Sequence, residues 1–357
     1  MPTLSVFMTN YNHAAELPRA LDALLSQSRP AEQIVVVDDG STDGSWAVLK
    51  RYAGRHPSLE LRRHDTNRGV SAGIATALEA CTGDWVYGAG SDDEVLPGFF
   101  EAAMRQAAAY PTAGVVLGDV VAVYDDHRGE EVQRIARWSA AAPQFVTPER
   151  FAQEHLAVDC CGFSLGAGTI YRRDALHEVG GFREALGSWC DTFAGRALAL
   201  RHGAVYLGRT ATRWTATHRS YSHRSGDDAA HMQAIGQTAA ALMRDEFADL
   251  YDEADVRRFE TRWTLEMAGG YERVSDTLVP RRLRDVRRAY AELSRDGRWF
   301  DRVLGGLLRA MFACCDRRRE AAASCENWSN RKPTQVAKPP EDPGLLTGSA
   351  EPSRVVP

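Results

Sequence analysis

The sequence contains no uninterrupted apolar run of the ~18 residues that a membrane-spanning helix needs. Its start also lacks the charged region and long apolar stretch of a signal peptide. The formal net charge is only −5 over 357 residues, whereas nucleic-acid-binding domains are usually strongly basic. These absences predict a cytoplasmic protein that does not cross a bilayer and has no nucleic-acid partner.

Cysteine is scarce and irregularly placed. The seven cysteines include the adjacent pairs Cys160-Cys161 and Cys314-Cys315. They show neither a disulfide framework nor the CxxC spacing of a metal site. We therefore predict reduced thiols. The remaining composition, 44% hydrophobic and 25% charged, is that of an ordinary globular protein long enough for a large domain with an appendage.

Short apolar runs alternate with helical patterns through the first ninety residues. Strands are predicted at 4–8, 34–37, 59–62 and 85–87, with helices between them. This order is typical of βαβ units and a mostly parallel sheet with flanking helices, an α/β fold. The second strand has no polar alternation, so it should be buried on both faces.

Two of these strands end in paired carboxylates. Asp38-Asp39 follows the second strand, and Ser91-Asp92-Asp93-Glu94 follows the fourth. Open α/β sheets bind ligands at the carboxyl ends of their strands, and adjacent acids can hold a divalent cation that in turn holds a diphosphate. The alternative for the pair after the fourth strand is a solvated turn, in which Asp is a common residue. In the loop after the second strand, Ser41 or Asp43 can cap the following helix, although capping does not account for Asp38 and Asp39.

The order and spacing of several motifs are more specific than any motif alone. Residues 3–225 strongly resemble the family 2 inverting glycosyltransferases of the GT-A fold. The segments that carry this resemblance are Ser5-Val6-Phe7-Met8-Thr9-Asn10-Tyr11-Asn12, Ile34-Val35-Val36-Val37-Asp38-Asp39-Gly40-Ser41, Asn67-Arg68-Gly69, and Gly83-Asp84-Trp85-Val86 with Ser91-Asp92-Asp93-Glu94.

The resemblance implies a site for a nucleotide-sugar donor. Asp39 would accept a hydrogen bond from N3–H of uracil or thymine, and Asp92 would contact the ribose or the donor sugar. The other residues implied to bind the donor nucleotide are Thr9, Asn10, Tyr11, Asp38 and Arg68.

The resemblance also implies a Mg²⁺ or Mn²⁺ ion coordinated by Asp93. Many family members have a first acid where this chain has Gly90, so the centre is one carboxylate short. His218 fits the position of a family residue that faces the metal or diphosphate, with His223 as the alternate. A surface histidine is the alternative for His218.

An inverting transfer needs a base that takes the proton from the acceptor hydroxyl. The segment Gly187-Ser188-Trp189-Cys190-Asp191 resembles the family's acidic motif, with Cys190 in place of its first acid. Asp191 is therefore the candidate base, and a helix N-cap is its alternative role. We expect the helix that follows to begin at Phe193.

Strand patterns disappear after about residue 225. We predict a catalytic domain at 1–225, with a donor half to about 120 and an acceptor half at 121–225, then a helical region at 226–323 and a disordered tail at 324–357. Basic and apolar stretches at 281–288 and 299–319 can dock on anionic lipid at the inner face of a membrane. Packing on the catalytic domain or in a homodimer is the alternative.

Together these features predict an enzyme of glycan assembly. It would move a sugar from a UDP- or dTDP-linked donor to a hydroxyl of a glycan, lipid-linked or other glycoconjugate acceptor. The missing acids at Gly90 and Cys190 leave open a catalytically inactive relative that binds a nucleotide sugar or glycan. A nucleotidyltransferase would need a glycine-rich phosphate loop after the first strand. Residues 9–13 contain no glycine, which argues against this third possibility.

Overall fold

The strands of the protein form one mixed sheet. The computed structural model describes residues 1–124, 130–133, 142–153, 166–216, 221, 225 and 228–269. Within these ranges the strands are β1 (Leu4–Asn10), β2 (Gln33–Asp38), β3 (Leu59–Arg63), β4 (Trp85–Gly90), β5 (Glu94–Val95), β6 (Val115–Tyr124), β7 (Glu130–Gln133), β8 (Gln144–Val146), β9 (Thr169–Arg172) and β10 (Ala204–Ala216).

The strand order is β3-β2-β1-β4-β9-β6-β10-β5, with β7 paired to β6 and β8 to β10. The predicted parallel pairing holds for β3, β2, β1 and β4, and again between β6 and β10. Strands β5, β7, β8 and β9 pair antiparallel instead. The second half of the sheet is therefore less parallel than its sequence suggests, and β9 joins the two halves.

Helices cover both faces of this sheet. In α1 the buried residues are Leu17, Ala20, Leu21 and Leu24, which confirms the predicted apolar spacing. The helices are α1 (Leu17–Leu25), α2 (Ser45–Ala53), α3 (Val70–Ala80), α4 (Phe99–Ala109), α5 (Pro148–Phe151), α6 (Arg173–Glu178), α7 (Cys190–His202), α8 (Ala229–Asp245) and α9 (Glu253–Gly269), and a 3₁₀ turn occupies Glu184–Trp189.

Helix α7 begins three residues earlier than predicted. It starts at Cys190 rather than Phe193, so Asp191 lies inside its first turn and is not its N-cap. The sequence pattern missed this turn because an apolar period becomes visible only from Phe193 onward. The earlier start fixes the direction of the Asp191 side chain by the helix backbone.

Two apolar clusters lie on the two faces of the sheet. Alternate residues of β2 enter opposite clusters, Val35 and Val37 into one, Ile34 and Val36 into the other. These four side chains are at most 2% exposed, as predicted for a strand buried on both faces.

Helices α8 and α9 lie in the same compact unit as the sheet, which extends from Met1 to Ala289. Their apolar residues join the first cluster. None of the described helices is long and apolar enough for a membrane span. The Asp125-Asp126 turn, Cys160-Cys161, His218, His223 and everything after residue 269 lie outside the described residues.

Candidate active site

Asp39 connects the end of β2 to the start of α3. Its Oδ1 lies 2.6 Å from His64 Nδ1 and accepts the Arg68 N–H at 2.9 Å, while Oδ2 accepts the Gly69 N–H at 2.8 Å. Asp39 is only 3% exposed. A carboxylate has about four acceptor positions, so one position on Oδ2 remains for a ligand.

His64 is a site residue that the sequence analysis missed. It is buried, and its Nε2 lies 3.0 Å from Thr76 Oγ1 on α3. In the tautomer that donates Nδ1–H to the Asp39 carboxylate, Nε2 can accept a hydrogen bond from the Thr76 hydroxyl. The available signal was position alone, because His64 directly follows the third parallel strand at the edge where Asp39 lies.

Asp38 is fully buried and bonded within the protein. Its Oδ1 accepts from Asn10 Nδ2 at 2.9 Å, and Arg63 Nε lies 3.2 Å from Oδ2. Asn10 also donates to Ser41 Oγ at 3.1 Å. These contacts tie the ends of β1 and β2 together, so Asp38 and Asn10 have a visible structural role, and their contact with a nucleotide stays a prediction.

Three other predicted donor residues line the same edge. Tyr11 is 41% exposed, and the Arg68 side chain is also exposed. Thr9 packs so closely on α3 that a Cβ at Gly73 would lie 2.8 Å from its Cγ2. The edge of the sheet therefore offers an open aromatic and a cation beside Asp39.

The turn that follows β4 is held by β10 and α1. Asp93 Oδ1 accepts the Thr215 N–H at 2.8 Å, and Thr215 Oγ1 donates to the Asp92 carbonyl at 2.6 Å. Arg19 donates to the same carbonyl at 2.6 Å. The Asp93 carboxylate is thus fixed by a backbone N–H and Asp92 by its main-chain carbonyl, and both residues are half-buried.

Gly90 is required by the position of Asp93. A Cβ at Gly90 would lie 2.8 Å from Asp93 Cγ and closer still to one carboxylate oxygen. The Asp93 carboxylate therefore occupies space that a side chain at 90 would need. The absence of an acid at position 90 therefore leaves the space that the Asp93 carboxylate occupies.

The acid pair is electrostatically suited to a cation. Burial, and then the charge of Asp92, raise the pKa of Asp93 to about 8. Burial also raises the pKa of Asp92. Two adjacent carboxylates supply oxygen ligands of the kind that Mg²⁺ and Mn²⁺ prefer. Within the described ranges no group of three metal-ligating side chains forms, and His218 lies outside them.

Asp191 lies against the segment that leads into β9. A Cβ at Gly166 would lie 2.6 Å from Asp191 Cγ, so a side chain at 166 would displace the carboxylate from this position. Asp191 Oδ1 accepts the Thr192 N–H at 2.6 Å. Burial raises the pKa of Asp191, and an acid with a raised pKa binds a proton more readily.

Tyr87 connects the two acidic elements. Its hydroxyl donates to the carbonyl of Ala167 at 3.0 Å, next to the glycine that faces Asp191. Burial, and then the nearby charge of Asp93, raise the pKa of Tyr87 well above its usual value. Tyr87 lies in β4, the strand that leads into the Asp92-Asp93 turn, so its hydroxyl links that strand to the segment that faces Asp191.

The mixed sheet with flanking helices matches the GT-A fold of solved glycosyltransferase structures. Residues 5–180 match the family described as Glycosyl transferase family 2. This match covers just under half of the chain and, together with the relatives and solved structures below, supports a family 2 glycosyltransferase.

Solved structures share the fold at low identity. The Staphylococcus aureus TarS fragment 1–349 in complex with UDP is 21% identical, with a TM-score of 0.55 over 80% of each chain. A mannosyltransferase from Pyrobaculum calidifontis in complex with GDP-Man and Mn²⁺ is 20% identical, with a TM-score of 0.51 over 92% of this chain and 88% of that one.

Among sequence relatives, the uncharacterized glycosyltransferase YibD of Escherichia coli K12 is 35% identical over 29% of this chain and 30% of its own length. A PGL/p-HBAD biosynthesis glycosyltransferase of Mycobacterium bovis is 29% identical over 34% of this chain and 47% of its own length. The matched part thus spans less than half of each of these relatives.

Proposed function

We propose that this chain transfers a sugar, with inversion, from a UDP- or dTDP-linked donor to a hydroxyl of a glycan or glycoconjugate. The observation that carries the proposal is that β4, which leads into the Asp92-Asp93 turn, is joined through the Tyr87 hydroxyl to Ala167, next to the Gly166 that faces Asp191. A diphosphate site at one end and a base at the other are the two parts that direct displacement needs.

The choice of uracil or thymine as the nucleobase of the donor rests on Asp39. Its remaining acceptor position calls for an N–H donor on the ligand, which uracil and thymine present at N3. Tyr11 offers an exposed ring beside it, and Arg68 a cation toward phosphate. The UDP complex of TarS supports uridine as one candidate.

The metal is proposed to be Mg²⁺ or Mn²⁺, held by Asp93 with Asp92 beside it and His218 as a further ligand. Three residues of chain span at most about 10 Å, and Thr215, three residues before His218, is bonded directly to Asp93. Held there, the ion would supply positive charge to the leaving diphosphate. The Mn²⁺ in the mannosyltransferase structure supports this choice.

The base is proposed to be Asp191. Its carboxylate is fixed by the Thr192 N–H and by contact with Gly166, and its raised pKa favours proton acceptance. Asp191→Asn should abolish transfer and leave nucleotide affinity unchanged, because the amide keeps the shape but cannot take the proton. Full activity of Asp191→Asn would refute this role.

The acceptor is proposed to be a glycan or a lipid-linked hydroxyl. The segments 281–288 and 299–319, with their arginines and apolar residues, would hold the enzyme at an anionic lipid surface. Association with vesicles containing anionic lipid, compared with neutral vesicles, tests this part separately from catalysis.

A thermal-shift screen tests the donor. UDP, dTDP, GDP and their sugars are compared with Mn²⁺ and with EDTA, since a ligand of the folded state raises the melting temperature. We expect the uridine or thymidine series to respond and EDTA to weaken the response. Release of nucleoside diphosphate from the selected donor then separates an enzyme from an inactive binding relative.

A further inference from the structure

The 3₁₀ turn that precedes Asp191 is covered by helix α8. Gly187, in the middle of this turn, has φ +49°, and a Cβ there would lie 3.0 Å from Ile235 Cδ1 and 3.2 Å from His231 Nε2. Ser188 Oγ donates to Ser225 Oγ at 2.9 Å. The backbone just before the proposed base is therefore in direct contact with the region after residue 220.

Trp189 ends this turn and lies two residues before Asp191. It is 2% exposed, and its ring centroid lies 5.2 Å from those of both Phe259 and Trp263 on α9. The Trp263 ring meets it edge-on at 73°, a favourable geometry for aromatic pairs. The start of α7 is thus packed on α9 through aromatic rings.

Trp263 is itself fixed in one orientation. Its Nε1–H donates to the Met232 carbonyl at 2.9 Å. A Cβ at Gly236 would lie 2.8 Å from Trp263 Cε2, so the indole ring fills the notch that this glycine leaves in α8. A large ring with a buried hydrogen bond and no free space is a rigid support for Trp189.

We propose that Trp263 is a positioning residue for Asp191. The first turn of α7 lies between two fixed surfaces, the Gly166 segment on the carboxylate side and the Trp189–Trp263 contact on the other. Helices α8 and α9 lie beyond residues 5–180, which match the family model, so this support comes from the chain's own C-terminal helices. The proposal rests on Asp191 being the base.

The test compares three variants of the full chain. Trp263→Ala removes the support, and Trp263→Phe keeps a ring while removing the N–H donor. Arg244→Ala is the control, because Arg244 forms its ion pairs with Glu253 and Glu260 on the exposed side of α8 and α9, away from the 3₁₀ turn.

Three quantities are measured for each variant: kcat for release of nucleoside diphosphate from the UDP- or dTDP-sugar selected by thermal shift, the affinity for UDP with Mn²⁺, and deuterium uptake at 184–192. We expect Trp263→Ala to lower kcat about tenfold or more, because small displacements of a catalytic group are costly. Its UDP affinity should stay within about twofold of wild type, and uptake at 184–192 should rise.

Trp263→Phe should recover most of the lost kcat, and Arg244→Ala should resemble wild type in all three measurements. A folded Trp263→Ala with unchanged kcat overturns the proposal, and so does a parallel loss of kcat and UDP affinity, which indicates general destabilisation. If Trp263→Ala does not fold, Trp263→Leu replaces it with the same two outcomes.

The proposed function and the positioning role fail separately. If the wild-type chain releases nucleoside diphosphate from none of the sugars, the proposed function has failed, and deuterium uptake alone decides the role of Trp263. Unchanged uptake at 184–192 in Trp263→Ala would then overturn it.

Discussion

Replacing Gly166 with alanine displaces the proposed base without altering any titratable group. A Cβ at this position would lie 2.6 Å from Asp191 Cγ and 3.2 Å from its Cβ. Gly166 is not among the residues with positive φ, so alanine fits the backbone there. The one expected effect is therefore steric, on the Asp191 carboxylate.

The size of the effect follows from contact distances. Carbon atoms pack best at about 3.5–4.0 Å, so the Asp191 carboxyl carbon must move by about 1 Å. A displacement of that size can cost about a hundredfold in rate, within the range of about 10²–10⁴ that a general base contributes. We expect kcat of Gly166→Ala to fall about a hundredfold.

The assay measures release of nucleoside diphosphate at saturating donor, together with UDP affinity. UDP affinity should not change, because the donor-side contacts of Asp39 involve other segments. Gly44→Ala is the control, since a Cβ there would lie 3.7 Å from its nearest neighbour, an ordinary contact. A Gly166→Ala variant with full kcat would refute the placement of the base.

Three further predictions concern the donor half. Burial and the charge of Asp92 raise the pKa of Asp93 to about 8, far above the value of about 4 in an unfolded chain, so without metal the stability should fall as pH rises from about 5 to 8. The unfolding free energy, measured by urea unfolding, should fall by at most about 1.4 kcal/mol per pH unit in the wild type. It should change less with pH in Asp93→Asn, and parallel curves for the two proteins would contradict this. His64→Ala should lower the unfolding free energy by about 1–3 kcal/mol, because it leaves buried polar groups unpaired, and should weaken UDP binding. Thr76→Val should lower the unfolding free energy by less. Thermal melting measures the stability of both variants, and titration with UDP measures their affinity. Gly90→Ala should displace Asp93 and abolish the Mn²⁺ dependence of UDP affinity, and an unchanged Mn²⁺ dependence would argue against Asp93 as the ligand.

The substitution of an acid by Cys190 has an electrostatic consequence. Burial, and then the charge of Asp191, raise the pKa of this thiol, so it is neutral at physiological pH. A second carboxylate at 190 would repel the charge on Asp191 and raise its pKa further. The proposed base Asp191 therefore has no charged neighbour at 190.

The sequence determined the parts whose signals are local. The apolar run of β2 predicted a strand buried on both faces, and the spacing in α1 predicted its buried side. The acids at the ends of β2 and β4 indicated where a ligand would bind, because parallel strands bring their carboxyl ends to one edge.

Only the tertiary structure could decide which groups meet across that edge. Strand β9 enters antiparallel between β4 and β6, and no local pattern predicts the pairing partner of a short apolar strand. That insertion puts Gly166 against Asp191 and Ala167 against Tyr87. His64 and Trp263 acquire their roles in the same way, through contacts with residues distant in the chain.

The acidic turn after β4 shows both what the sequence determines and what the tertiary structure adds. Its composition alone allowed a metal centre or a solvated turn. Folding partly buries Asp93 beside Asp92 and fixes it through Thr215, and this burial, followed by the charge of Asp92, raises its pKa. The residue types are written in the sequence, whereas their burial and mutual distance, which determine their chemistry, exist only in the folded chain.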